Sequence, residues 1–216
     1  GYNNLGSMFG QQGDHVLALR FLFKALRIWA RIFGKKHPDC ATAYSNIASE
    51  FGSAGDHDRQ LRYLRRTLQI RRALFGDDHP DTATAYEKLG VAYRQMDDHL
   101  QALRYGRKAL SVRRRRLGDL HPDTATSYSN VGLTYQSIGR FDRAQQYLEH
   151  AVGLRQELFG WGNRLTTLSA SHLVHNLVTL GQRRYAAELL DRFLRELPGD
   201  HPDVGALRQL RLGLLV

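Results

Sequence analysis

The sequence predicts an all-α fold in which similar pairs of antiparallel helices are stacked as an α-solenoid. The tripeptide His-Pro-Asp recurs at a fixed interval of 42 residues, beginning at His37, His79 and His121. Between these tripeptides, apolar residues recur at helical spacing in two stretches that a glycine-containing turn separates. A fixed period of this length is typical of repeat proteins, in which each repeat buries its apolar face against its neighbours.

Each first helix is predicted to begin at the tripeptide. Proline suits the first helical turn because its missing N–H has no partner there, and the following aspartate complements the helix dipole. In the second repeat one apolar stripe marks the first helix: Ala41, Tyr44, Ile47, Ala48 and Phe51. We predict no metal and no cofactor at the tripeptides, because each histidine lies one repeat from the next without a second ligand at coordinating spacing.

Each second helix follows a turn at Gly13, Gly55 or Gly139 and runs for about 20 residues. In the second repeat its inner face carries leucines: Leu61, Leu64, Leu68 and Leu74. An aromatic row follows the second helices: Phe21, Tyr63, Tyr105 and Tyr147. We interpret this row as core between repeats; a stacking platform for bases is the alternative. Gly106 stands where other repeats have leucine, which indicates repeat drift or a local soft point.

The period divides the chain, predicted to be one array over 1–216, into repeats. Their ranges are 1–36 (partial), 37–78, 79–120, 121–162 and 163–200 (degenerate), followed by 201–216 as a partial repeat or capping helix. The fifth repeat has Asn163-Arg164 in place of His-Pro, and His201-Pro202 comes early. The apolar end, which includes Leu215 and Val216, either caps the stack or continues into a longer polypeptide, as the start inside a first helix also indicates.

Composition narrows the class of protein. The 216 residues carry a net charge of +10, contain no run long enough for a membrane span and begin with no signal-peptide pattern. We therefore expect a soluble, cytoplasmic protein whose charge attracts acidic partners. Cys40 is the single cysteine and is interpreted as a small residue near a helix start rather than a nucleophile, because no convincing partner is near it.

The fourth repeat shows a family resemblance most clearly. Tyr128, Gly132, Tyr135, Ala144 and Leu148 fall on the tetratricopeptide spacing, and the 42-residue period resembles the repeats of kinesin light chains. The resemblance implies a right-handed superhelix with first helices on its concave face. It also implies that a polar first-helix row grips a peptide backbone: Asn4, Asn46, Lys88, Asn130 and His172. One turn further along each first helix, the predicted groove includes Ser49, Val91, Leu133 and His175. Arg94 and Lys88 would together offer positive charge to an acidic residue of the peptide.

We therefore predict a non-catalytic scaffold that binds a peptide segment of a partner protein. Kinesin light chains bind peptides with an aromatic residue flanked by acids, so the resemblance implies a similar ligand. The alternative is a regulatory array of a larger signalling ATPase or protease, in which the groove contacts other domains of the same chain. A basic ridge offers phosphate or nucleic-acid binding as a third possibility, although no nucleic-acid motif accompanies it: Arg62, Arg66, Arg104, Lys108, Arg113 and Arg114. No catalytic constellation is present, so we predict no enzyme.

Overall fold

The computed structural model describes residues 1–197 and 204–214, and the predicted features at His201-Pro202, Leu215 and Val216 lie outside these residues. Eleven helices lie within the described ranges. They are α1 (Tyr2–Gln11), α2 (His15–Ile32), α3 (Pro38–Ser53), α4 (His57–Phe75), α5 (Pro80–Gln95), α6 (His99–Leu117), α7 (Pro122–Ser137), α8 (Phe141–Phe159), α9 (Arg164–Thr179), α10 (Arg183–Glu196) and α11 (Val204–Gly213). The all-α fold class is confirmed.

The helices form two compact units, unit 1 from Gly1 to Val112 and unit 2 from Arg113 onwards. In unit 1, α1 packs against α2 and α3 against α4, and successive pairs meet through α2 with α3 and α4 with α5. In unit 2, α7 packs on α8, α8 on α9, α9 on α10 and α10 on α11. Each helix therefore buries its apolar stripe between its own partner and the next pair, as in a solenoid.

The His-Pro-Asp tripeptide is a helix-start device, as predicted. The Nδ1 atoms of His37, His79 and His121 accept a hydrogen bond from the N–H of the aspartate two residues on, at 3.3, 3.1 and 3.1 Å. The fifth repeat keeps this cap without the tripeptide, because Asn163 Oδ1 accepts from Leu165 N at 2.8 Å. The degenerate repeat has thus changed the capping residue and kept the helix start.

Cys40 lies in the first turn of α3 and contacts the connector that precedes this helix. At the equivalent positions of α5 and α7, Thr82 and Thr124 each donate a hydrogen bond of 2.8 Å to the carbonyl of the glycine six residues earlier. The Cys40 thiol makes the same contact with Gly34 O at 3.4 Å and is fully buried. Burial raises the pKa of this thiol, so Cys40 is a structural substitute for threonine and a poor nucleophile.

The aromatic row is packed, but mainly within repeats. Tyr63 stacks on Tyr44 and Phe51 of its own repeat, with ring centroids 6.0 and 5.5 Å apart. Tyr105 stacks in the same way on Tyr86 and Tyr93, at 6.1 and 5.6 Å. Both rings are thus inserted between the two first-helix rings of their own pair. Tyr63 also contacts Phe23 of the preceding repeat edge-to-face, with centroids 6.1 Å apart, so the row contributes to the core between repeats as well.

Leu74, expected on the inner face of α4, is 42% exposed, so the apolar stripe ends before the last turn. Gly106 lies where α5 and α6 approach each other. A Cβ added to Gly90 would lie 3.1 Å from Gly106 N and 3.2 Å from Ala102 O, so the backbones of α5 and α6 approach each other closely. At the equivalent position of the fourth repeat, Gly132 faces the Leu148 side chain. The space of the missing leucine is closed by this approach.

Candidate functional site

The predicted polar row of unit 1 is joined by side-chain hydrogen bonds between successive first helices. Asn46 Nδ2 on α3 donates to Asn3 Oδ1 on α1 at 3.0 Å. Lys88 Nζ on α5 donates to Ser45 Oγ on α3 at 2.7 Å. Both contacts link positions 43 residues apart, so each row residue is oriented by the residue beside the row on the preceding repeat.

A cavity of about 270 Å³ opens between α3, α4 and α5 beside this row. Three predicted groove residues, Ser49, Lys88 and Val91, line it. The other lining residues come from the same three helices: Ala48, Gly52, Ser53, Gln60, Leu64, Glu87 and Gln95. The wall combines polar side chains with apolar surface, to which Ala48, Leu64 and Val91 contribute, and it presents one ammonium group.

The surroundings of Lys88 change the pKa of its ammonium group. Burial lowers its pKa, the nearby positive charge of Arg71 lowers it further, and Glu87 partly offsets both effects. Arg94, one and a half turns further along α5, also has its pKa lowered by burial. Within the described part of the chain, its Nε atom has no hydrogen-bond partner. An arriving carboxylate would favour the charged form of both side chains.

The other predicted groove residues, including Asn46 on α3 and Arg94 on α5, are not among those that line this cavity. Asn4 is exposed on α1. Asn130 and Leu133 are half-buried on α7. His172 is half-buried and His175 exposed on α9. The predicted set is therefore divided between the first helices of unit 1 and those of unit 2.

Gln60 and Gln95 also line the cavity, although neither was predicted from the sequence. Gln60 on α4 donates through Nε2 to Gln95 Oε1 at 3.5 Å and shares a hydrogen bond of 3.0 Å with the His57 ring. Its amide reaches the cavity because Gly52 leaves room, since a Cβ there would lie 2.3 Å from Gln60 Nε2. Gly52 is the sequence feature that could have indicated this contact, because glycine is otherwise unfavourable inside a helix.

The predicted basic ridge requires one correction. Five of its members are exposed: Arg62, Arg66, Arg104, Lys108 and Arg114. Arg113 is only 2% exposed and donates through Nη1 to Asp123 O at 3.1 Å and to Ser127 Oγ at 2.8 Å. It is therefore part of the packing between helices and does not belong to an exposed ridge.

Arg113 is one of three arginines at the same repeat position. Arg71 Nη1 donates to Asp81 O at 2.8 Å, and Arg155 Nη1 donates to Leu165 O at 3.1 Å. Each guanidinium thus joins a second helix to the first turn of the following first helix. The regular 42-residue spacing of these arginines could have distinguished them from the exposed basic residues, since the neighbouring basic positions vary between repeats.

Across residues 1–197 and 204–214, no group of three or more His, Cys, Asp or Glu side chains is arranged to hold a metal ion. Over the same residues, no helix is long and apolar enough to cross a membrane.

The comparison with protein families is decisive. The tetratricopeptide repeat model matches residues 1–66, 53–115 and 92–157. The chain belongs to the tetratricopeptide repeat family. Proteins built from tetratricopeptide repeats are typically non-catalytic scaffolds for protein interactions.

Solved structures with tetratricopeptide folds are similar to this chain. The nearly identical TPR-like repeats of a kinesin light chain from Podosopora anserina share 20% identity over 89% of this chain and 91% of theirs, with a TM-score of 0.74. BtubC (BKLC) from P. vanneervenii shares 24% identity over 97% and 79%, with a TM-score of 0.78. A Rap protein complexed with Competence and Sporulation Factor shares 18% over 90% and 52%, with a TM-score of 0.74. No curated protein matches this sequence.

Proposed function

We propose that this chain is a protein-interaction module that binds a peptide segment of a partner along the first helices of unit 1. The observation that carries the proposal is the cavity of about 270 Å³ in which the Lys88 ammonium lies beside Ser49 and Val91. The Rap neighbour, whose structure holds Competence and Sporulation Factor, supports the proposal, because a protein of the same fold there holds another molecule.

Different residues would contact different parts of the peptide. Asn46 offers a donor and an acceptor in one amide, which suits the backbone of an extended peptide without selecting a side chain. Lys88 supplies a partly desolvated positive charge for an acidic side chain, and such charge-assisted hydrogen bonds are about twice as strong as neutral ones. Val91 and Leu64 provide the apolar wall for a neighbouring aromatic or aliphatic side chain. The preferred ligand is therefore an acidic peptide with an apolar or aromatic residue.

A peptide array tests this function. Peptides that combine glutamate or aspartate with tryptophan are compared with versions in which the acids are replaced by amides, using the whole chain at physiological salt. Binding to the acidic peptides should weaken at least about tenfold in Lys88→Gln, since a hydrogen bond to a charged group contributes about 1.5–3 kcal/mol.

The matched control is Arg62→Gln, which removes one positive charge from the exposed face of α4, away from the cavity. Both variants are first shown to be folded by circular dichroism. The proposal fails if Lys88→Gln and Arg62→Gln bind the array equally, because the loss would then follow net charge and not the cavity. It also fails if the amide versions bind as tightly as the acidic peptides.

A further inference from the structure

In two connectors between repeats an aspartate pairs with an arginine of the preceding helix, and in the first of them a tyrosine hydroxyl also donates to the carboxylate. In the connector after α4, Asp77 accepts a hydrogen bond from the Tyr86 hydroxyl and pairs with Arg72 at 2.6 Å and Lys108 at 3.6 Å. The Tyr86 hydrogen bond is the main reason that the pKa of Asp77 is lowered. The charged carboxylate is thus stabilised at this position.

In the connector after α6, 42 residues later, the pair of aspartate and arginine recurs. Asp119 pairs with Arg114 at 2.6 Å, and this contact lowers the pKa of its carboxyl. Tyr128 stands at the position of Tyr86, and His150 stands at the position of Lys108 and stacks on Tyr128 with centroids 5.1 Å apart. The pair of carboxylate and arginine therefore recurs, with a tyrosine and a basic residue at the equivalent sequence positions.

The connector after α2 keeps the tyrosine and the cation but has lost the carboxylate. Tyr44 stands at the position of Tyr86, and Arg66 at the position of Lys108, whereas Lys35 replaces Asp77. A cavity of about 270 Å³ lies here, lined by Lys35, Lys36, Tyr44, Arg66, Gln69, Ile70 and Ala73. Its lining contains no acidic residue, and within residues 1–197 and 204–214 the Tyr44 hydroxyl has no hydrogen-bond partner.

We propose that this cavity, the connector pocket, binds a carboxylate from an acidic side chain of a partner protein, which takes the place that Asp77 and Asp119 occupy in the other connectors. The Tyr44 hydroxyl donates to the carboxylate, and Arg66, Lys35 and Lys36 supply the positive charge. Burial raises the pKa of Tyr44 although Arg66 opposes the shift, so the hydroxyl is a protonated donor at neutral pH.

The lining favours an acidic side chain over a free inorganic anion. Ile70 and Ala73 give the pocket an apolar wall that suits the methylene stem of aspartate or glutamate and that offers nothing to a phosphate ion. The connector pocket shares no lining residue with the groove cavity around Lys88. It is therefore a second site, and the test of this site does not depend on the proposed groove.

NMR titration of the whole chain tests the pocket. The probe is N-acetyl-aspartic acid amide, the neutral reference is N-acetyl-asparagine amide, and the readout is the ¹³C-methyl signal of Ile70, which lines the pocket. The acidic probe should shift this signal in a saturable manner and the neutral reference should not. Inorganic phosphate is titrated separately. A shift of the Ile70 signal by phosphate but not by the acidic probe would overturn the proposal.

Two variants locate the contact. Tyr44→Phe keeps the ring that stacks on Tyr63 and removes the hydroxyl, so probe affinity should fall about tenfold in a chain that still folds. Lys35→Asp supplies an internal carboxylate and should both abolish probe binding and raise the melting temperature.

Arg20→Asp is the control for the charge reversal, because Arg20 is exposed on α2 and does not line the pocket. The proposal is wrong if Arg20→Asp and Lys35→Asp reduce probe binding equally. It is also wrong if Tyr44→Phe binds the probe as the unmodified chain does. In either case the attraction would be one of net charge alone.

Discussion

An arginine recurs every 42 residues at the junctions between repeats, half-buried at Arg71 and buried at Arg113 and Arg155. Arg155 is 5% exposed and donates to Leu165 O, to Ser169 Oγ and, through Nη2, to Thr126 Oγ1 at 3.2 Å. A charged side chain is rarely buried unless its donors are satisfied, and here backbone and hydroxyl oxygens satisfy them. The arginine therefore contributes to stability through hydrogen bonds and not through an exposed charge.

At this position we predict that Arg155→Met lowers the free energy of unfolding by about 2 kcal/mol, because the Leu165 carbonyl and the Ser169 hydroxyl lose a buried donor. Urea denaturation followed by circular dichroism measures the change. Arg143→Met, at an exposed position on α8, is the control and should have an effect near zero. Equal effects of the two substitutions would show that Arg155 has no special structural role.

Lys88 illustrates the cost of keeping a cation in a partly buried site. Burial and Arg71 lower its pKa, which means that the folded state disfavours the charged form relative to the unfolded chain. Between the lowered pKa and the ordinary value of about 10.4, the unfolded chain therefore binds more protons than the folded protein does. The stability contribution of Lys88 therefore increases with pH through this window and is least favourable below it.

The corresponding prediction is that Lys88→Met raises the free energy of unfolding at neutral pH by about 0.5–1 kcal/mol while it weakens binding of acidic peptides. The stability difference between Lys88→Met and the unmodified chain should shrink as the pH rises above neutral. Urea titrations at several pH values measure it. A stability difference that grows with pH would have the wrong sign and would contradict the assigned cause.

At the scale of elements, α5 and α6 approach each other through glycines. The atoms that a Gly90 methyl group would meet, Gly106 N and Ala102 O, belong to the backbone and cannot rotate away as a side-chain end can. The substitution would thus force two helices apart. This situation differs from Gly132, whose contacts are with the Leu148 and Tyr147 side chains.

We expect Gly90→Ala to destabilise the protein by about 1–3 kcal/mol, as overpacking of a filled core does, despite the higher helix propensity of alanine. Gly153→Ala is the control inside α8, because a Cβ there meets nothing within 4 Å. That control should stabilise by up to about 1 kcal/mol. Thermal denaturation of both variants separates the two effects, and a stabilising Gly90→Ala would show that the helices can separate freely.

At the scale of the whole molecule, the net charge of +10 overstates the free positive surface. Arg72 and Lys108 pair with Asp77, and Arg114 pairs with Asp119. Arg113 is buried. Ion pairs within the chain thus reduce the number of cations that can displace counterions from a nucleic acid.

We therefore predict weak binding to a fluorescently labelled DNA duplex, with a slope of log affinity against log salt no steeper than about −2, which corresponds to about two phosphate contacts. The double variant Asp77→Asn, Asp119→Asn should steepen the slope because it releases paired cations. Asp58→Asn with Asp142→Asn changes the net charge equally at first-turn positions of α4 and α8 and should steepen it less. Fluorescence anisotropy at several salt concentrations measures each slope, and a steep slope for the unmodified chain would restore the nucleic-acid alternative.

The local features of this protein could be predicted from the sequence because they depend on residues close together in the chain. The 42-residue period, the His-Pro-Asp helix starts and the glycine turns determined where helices begin and end, and Gly55 at a φ of +76° shows the left-handed turn conformation that its position required. Even the degenerate fifth repeat follows this rule, since asparagine replaces histidine as a helix cap.

Contacts between helices were decided only by the tertiary structure. The sequence predicted Asn46 and Lys88 as row residues, but their hydrogen bonds to Asn3 and Ser45 depend on how adjacent repeats pack. The burial of Arg113 and the approach of α5 to α6 have the same origin. A repeating pattern specifies which face of a helix is apolar, whereas the side chains that meet across two helices also depend on their spacing and rotation, which the packing of the whole unit sets.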